Sequence, residues 1–218
     1  MPTRMNDRAR PERKIWYHQA TEFVADIWSA FTTGYGFVAA RPVQDKRWQE
    51  TCFPVDACRD GLEEFFSSRS PRLHDFYFCP NAFRQPQRRA SFALPTPYAW
   101  VDIDEGDVNA FDPRPGTLIR TSPGRHQGIW WFTDNASPRS AERYSRALAY
   151  NFAADRNGWS VTKYLRVPFT YNLKPHYDRP RVELLRHSPR PQVRKALAFG
   201  AADQPRRLLA DIQRISPA

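Results

Sequence analysis

The sequence predicts an α+β protein, with helices packed on a mixed or antiparallel sheet. Two observations carry this prediction. Segments of helical apolar spacing and short apolar strands follow one another in an order that suits such a sheet. The chain's 218 residues, 41% hydrophobic with 7 Trp, 9 Tyr and 15 Phe, can also fill the core of one substantial domain or two small lobes.

Met1 to Lys14 is charged, contains proline and shows no periodicity, so it reads as a mobile basic arm. Phe23, Val24, Ile27, Trp28 and Phe31 recur at helical spacing and predict a helix over Thr21 to Phe31. Gly34-Tyr-Gly36 then breaks the pattern before a strand at Phe37 to Ala40. Asp56 is a candidate cap for a second helix that buries Leu62, Phe65 and Phe66, and a strand follows at Asp75 to Cys79. Phe83 to Pro97 reads as a Pro-rich linker. Its Arg84, Arg88 and Arg89 suit a phosphate backbone, and a solvated loop suits the same composition.

The stretch Tyr98 to Asp107 reads as an inner strand whose apolar run carries two carboxylates one residue apart, Asp102 and Asp104, and breaks at Gly106. Side chains of a strand alternate faces, so Asp102 and Asp104 point the same way about 7 Å apart. Such a pair can hold hard divalent cations, and two ions can grip both the attacking and the leaving oxygen at phosphorus. A solvated strand end entering a turn would also present Asp-x-Asp before glycine.

A hairpin follows, with strands at Thr117 to Arg120 and Gly128 to Phe132 and a tip at Thr121-Ser-Pro-Gly-Arg-His126. Its backbone amides, with Ser122, Arg125 and His126, form a donor set that suits a triphosphate; ordinary turn chemistry uses the same residues. Ser137-Pro138 starts a helix that buries Ala141, Tyr144, Ala147, Leu148 and Phe152 and is expected to stop at Asn157-Gly158, with Asp155 in its last turn. Arg166, Asn172 and Lys174 suit phosphate and sugar contacts, and a strand is expected at Arg181 to Leu185. The tail from Ser188 is rich in Pro and Arg, with a candidate amphipathic helix at Arg206 to Ile215.

The net charge of +10 favours an anionic partner. No apolar run approaches membrane-spanning length, and the amino terminus lacks the hydrophobic segment of a secretory signal, so the expectation is a soluble cytoplasmic protein with no membrane partner. The absence of a phosphate-cradling Gly-x-x-x-x-Gly-Lys-Ser/Thr loop argues against an ATP-driven motor.

Four blocks occur in one order: Val101-Asp-Ile-Asp104, Thr121-Ser-Pro-Gly-Arg-His126, Ala154-Asp-Arg-Asn-Gly-Trp-Ser160 and Leu165-Arg-Val-Pro-Phe-Thr-Tyr-Asn-Leu-Lys174. Together they resemble the archaeo-eukaryotic primase superfamily, above all the primase-polymerase domains of plasmids, phages and mobile elements. The resemblance runs from about Phe76 to Leu185. It implies a sheet like that of RNA-recognition motifs (RRM-like), with packed helices, joined to a smaller N-terminal α/β lobe across an active cleft. The implied division is an arm at 1–14, a catalytic domain at 15–187 with lobes at 15–95 and 96–187, and a tail or start of a helical module at 188–218.

By the same resemblance Asp102, Asp104 and Asp155 bind two Mg²⁺ or Mn²⁺ ions. Ser122 and His126, with Arg125 beside them, contact the triphosphate. Relatives often carry Asp where this chain has Ser160 and Gly where it has Phe169. The implied function is a DNA primase or polymerase, a template-directed nucleotidyltransferase that uses nucleoside triphosphates, single-stranded DNA template and primer, with a helicase or helical module in cis or trans. Arg166, Asn172 and Lys174 would line the nucleotide or template side. Two alternatives stay open: a non-catalytic nucleic-acid-binding module for replication initiation, and a metal-dependent nuclease.

Overall fold

The computed structural model describes residues 10–189 apart from Lys46, Glu105, Ala153 and Arg156, with side chains from Ile15 onward. The expected arm therefore lies partly outside the described residues, and the expected helix at Arg206 to Ile215 wholly so.

Among the described residues, eight strands form two four-stranded sheets, and every strand pair is antiparallel. Helix α1 (Arg10–Trp28) precedes β1 (Tyr35–Pro42), β2 (Gln49–Pro54), α2 (Arg59–Ser67) and β3 (His74–Phe78). After these come β4 (Thr96–Ile103), β5 (Thr117–Ser122), β6 (Arg125–Ala136), α3 (Pro138–Asn151), β7 (Leu165–Arg166) and β8 (Glu183–His187). The first sheet has the order β2-β1-β3-β7 and the second β4-β6-β5-β8. Strand β7 thus comes late in the chain yet joins the first sheet, with Tyr77 opposite Arg166.

Period-two burial on β4 explains the layering. Tyr98 and Trp100 enter a core shared with α1, α2 and the first sheet, whereas Ala99, Val101 and Ile103 enter a second core against α3. Strand β6 repeats the pattern, with Ile129 and Trp131 on the first side and Trp130 and Phe132 on the second. The second sheet is therefore covered on both faces. Strand β4 is an edge, and the Ser145 hydroxyl of α3 accepts its Trp100 amide at 3.0 Å.

Several expected boundaries move. Helix α1 starts at Arg10 rather than near Thr21, so residues 10–14 are helical instead of belonging to the arm. The strand β2 was not expected; its Gln-Glu-Thr-Cys-Phe-Pro run lacks apolar alternation, and its order comes from pairing with β1. Asp56 lies in a 3₁₀ turn at Val55–Ala57, and the residue that precedes α2, Cys58, makes no side-chain cap bond. The expected linker is pinned to the sheet, since Phe83 bridges both Tyr35 and Ala93.

Helix α3 starts as expected, with the Ser137 hydroxyl accepting the Ser140 amide at 3.2 Å. It stops at Asn151 rather than Asn157. Its final carbonyls take the amides of Phe152 and Ala154, and the chain turns away toward β4.

Close packing explains Gly36. A Cβ there would lie 2.3 Å from the Trp28 ring, whose Nε1 donates to the Cys79 carbonyl at 2.9 Å. Strand β8 is fastened to α1 through His187, whose Nε2 lies 2.7 Å from Asp26 and whose Nδ1 lies 2.9 Å from the Thr117 hydroxyl. No helix among the described residues is long and apolar enough to cross a membrane.

Candidate active-site cleft

An open cleft of about 560 Å³ lies between the two sheets, a volume in the range of small-molecule sites. Asp102, Asp104, Ser122, Arg125, Asp155, Arg166, Asn172 and Lys174 all line it. These residues are scattered from Asp102 to Lys174 in the sequence, and the fold brings them together.

Asp102 continues the Tyr98/Trp100 phase of β4 beyond the core and so faces the cleft. Its Oδ1 accepts from Gln127 Nε2 at 2.6 Å, and its Oδ2 lies 2.6 Å from Lys163 Nζ. Asp104, just past the strand, pairs with Arg125 at 2.8 Å. The two differ in exposure, 15% for the Asp102 side chain and 42% for Asp104. Asp155 lies past the end of α3 rather than in its last turn. Its amide donates to the Asp102 carbonyl at 2.9 Å, and its Oδ1 accepts the Asn157 amide at 2.9 Å. Gly158 makes this approach possible, because a Cβ there would sit 3.2 Å from Asp102 Cβ and 3.4 Å from its Oδ2.

On the hairpin, Ser122 is 1% exposed, and its hydroxyl is buried with no protein partner among the described residues. Arg166 is equally enclosed: its Nη1 pairs with Asp75 at 2.5 Å, while its Nη2 is buried and unpartnered. Both of these unfilled donors belong to residues that line the cleft.

His126 does not line the cleft. It pairs with Ile103, one residue out of phase with Asp102, on the α3 side of the sheet. Burial and the nearby Arg120 guanidinium push its pKa below the ordinary histidine value. The residue that takes the expected place is Gln127, paired with Asp102 and bridging from its carboxylate to the Arg166 amide at 2.8 Å. Sequence reading missed Gln127 and also Lys163, which sits between the Trp159–Ser160 stretch and β7 with no periodic signal.

Asn172 serves the hairpin. Its Nδ2 donates to the Thr121 carbonyl at 3.0 Å, so it positions the tip from within the core. The three arginines of the 83–97 segment separate. Arg88 lines the cleft, Arg84 borders a smaller pocket with Thr33 and Asp56, and Arg89 is exposed. Phe169 adopts φ +70°, a left-handed conformation that glycine accepts without strain. Ser160 bonds Thr162, 2.9 Å between hydroxyls, and also borders the cleft.

Carboxylate oxygens of Asp102 and Asp104 are the donor chemistry that hard divalent ions take. Among the described residues no three His, Cys, Asp or Glu side chains stand close enough to form a metal-ligand cluster. Lys163 and Arg125 supply the positive charge against the two acids instead.

Two antiparallel sheets facing across an acid-and-base-lined cleft define the class, the fold of primase and primase-polymerase domains. The chain belongs to the RepB DNA-primase N-terminal domain family, whose profile matches residues 84–203. A crystal structure of primase RepB' superposes with TM-score 0.60 at 17% identity, covering 79% of this chain and 58% of that one. The catalytic domain of primase RepB' in complex with initiator DNA gives 0.59 at 16%, covering 80% and 87%. The AEP domain of the cyanophage S-2L primase-polymerase gives 0.60 at 10%, covering 89% and 97%. No curated protein matches the chain by sequence.

Proposed function

We propose that the chain is a template-directed nucleotidyltransferase, a DNA primase or primase-polymerase domain that joins nucleotides on a single-stranded DNA template. The observation that carries this reading is the juxtaposition of the β4 acid pair with hairpin donors across one cleft: Asp104 on Arg125, with the buried hydroxyl of Ser122 beside them. Family membership supports the same class.

Asp102 and Asp104 are the proposed ligands of two Mg²⁺ or Mn²⁺ ions, joined by Asp155 once its loop side chain turns toward them, since the three acids form no ready cluster. When bound, the ions would neutralise phosphate charge and lower the pKa of an attacking hydroxyl. The chain's own residues do the rest. Ser122, Arg125 and the free Nη2 of Arg166 hold the triphosphate, and Lys174 adds charge at the rim. Gln127 fixes the Asp102 carboxylate from one side, and Lys163, within contact of its other oxygen, favours negative charge on the departing group. Positioning and electrostatics dominate such a step.

The initiator-DNA complex of the RepB' catalytic domain supports DNA as the polymer. A helicase or helical module in cis or trans and a cytoplasmic setting belong to the proposal. The test incubates the protein with single-stranded template, labelled nucleotides and Mg²⁺ or Mn²⁺, with and without an annealed primer. Metal-dependent extension of the label is expected. A second reading, a non-catalytic DNA-binding module, is favoured by the ion pairs that already occupy Asp102 and Asp104, and it predicts salt-sensitive DNA binding with no incorporation.

A further inference from the structure

One wall of the cleft is built of stacked rings that the proposed chemistry does not use. Trp48, between β1 and β2, lies 5.7 Å from Tyr164 with only 12° between the ring planes, and 4.7 Å from Tyr77. All three border the cleft.

The two tyrosines are held from behind. Arg88 lies over the Tyr164 ring at 4.0 Å and donates to the Thr162 carbonyl, and the Tyr164 hydroxyl donates to Glu50 at 2.8 Å. Glu50 also pairs with Arg88 at 2.9 Å. Arg166 lies over Tyr77 at 5.0 Å. Burial raises the pKa of both phenols, so they stay neutral donors. Trp48 differs: it is 51% exposed, an indole left facing water on a rigid base.

We infer that Trp48, backed by Tyr77 and Tyr164, is a stacking platform for an unpaired base of single-stranded nucleic acid running through the cleft. This deepens the reading of the cleft as a nucleic-acid site and does not depend on its catalytic chemistry. A large aromatic face is sequence-tolerant toward bases, and rings already fixed by their neighbours lose little freedom when a base lands on them. The guanidinium of Arg41, 6.0 Å from the Trp48 ring, adds positive charge where the adjoining phosphodiester would pass. A polynucleotide fits better than a free nucleotide. The platform flanks the first sheet, with Tyr77 on β3, Trp48 just before β2 and Tyr164 just before β7, whereas the hairpin donors Ser122 and Arg125 belong to the second.

The test measures anisotropy of a short fluorescein-labelled oligodeoxynucleotide with the full chain, without metal, for wild type, Trp48→Ala and Trp48→Phe. Alanine is expected to weaken binding about tenfold, and phenylalanine to restore most of it. A set of oligonucleotides with one abasic position each then separates stacking from structure. One abasic site should weaken binding to wild type and leave binding to Trp48→Ala unchanged, because the partner ring is already gone. Equal affinity of wild type and Trp48→Ala, or an abasic penalty of equal size in both, overturns the inference. So does weakened nucleoside triphosphate binding with intact oligonucleotide binding, which would assign the platform to the nucleotide. The measurement involves no turnover, so wild-type protein that binds through Trp48 yet incorporates no nucleotide when given template, primer and metal would sink the polymerase reading alone.

Discussion

The amide of Asp155 donates to the carbonyl of Asp102 at 2.9 Å, which ties the loop after α3 directly to the end of the acidic strand. Residues more than fifty positions apart thereby share one backbone contact, and the third acid reaches the cleft without being part of a helix.

Gly158 lets the loop lie on Asp102. Gly158→Ala places a methyl group 3.2 Å from Asp102 Cβ and 3.3 Å from its amide nitrogen, so one of the two must shift by a few tenths of an ångström. Catalysis depends on placement more steeply than folding does, so nucleotide incorporation should fall about tenfold while the thermal midpoint changes little. Steady-state kinetics beside a melting curve decide the matter, and unchanged kinetics would refute the role of this contact.

Gln127 links the Asp102 carboxylate to the Arg166 amide, joining the second sheet to the first. Gln127→Ala leaves a buried amide unsatisfied and frees Asp102 to turn toward Lys163. The variant should lose about 1–3 kcal/mol in denaturant unfolding. Its kcat should fall more than its KM rises, a split that a purely structural role would not produce.

His126 has a pKa lowered by burial and by Arg120, so the folded protein binds its proton less readily than the unfolded chain does. The stability it contributes is complete above the ordinary histidine value of about 6.5 and declines as pH falls toward the lowered folded value. Between pH 7.5 and 5.5, His126→Asn should therefore lose less of its urea midpoint than wild type. An equal loss in both proteins would contradict the assignment.

How much of this was legible beforehand depends on the range of the contact that sets each feature. The face of Asp102 could be read from the alternation around Trp100 and Val101, because a strand's period is local. That Gln127 and not His126 faces the cleft could not, since it rests on how many residues the hairpin tip consumes before β6 regains register with β4. Asn157-Gly158 looked like a helix stop, yet α3 ends six residues earlier because Asp155 bonds to Asp102, a partner no window of sequence contains. Trp48, Lys163 and Tyr164 lie in segments without period, and only the fold brings them to the same wall. The charged stretch at residues 10–14 read as an arm because it lacks an apolar stripe, although it continues α1.

The most direct test of the account is nucleotide incorporation by Asp102→Asn/Asp104→Asn, measured beside single-stranded DNA binding. The substitutions keep shape and remove the charge that cations need. The account predicts incorporation reduced on the order of 10²-fold or more, with DNA affinity held within about twofold of wild type. Incorporation at the wild-type rate in the doubly substituted protein would contradict it.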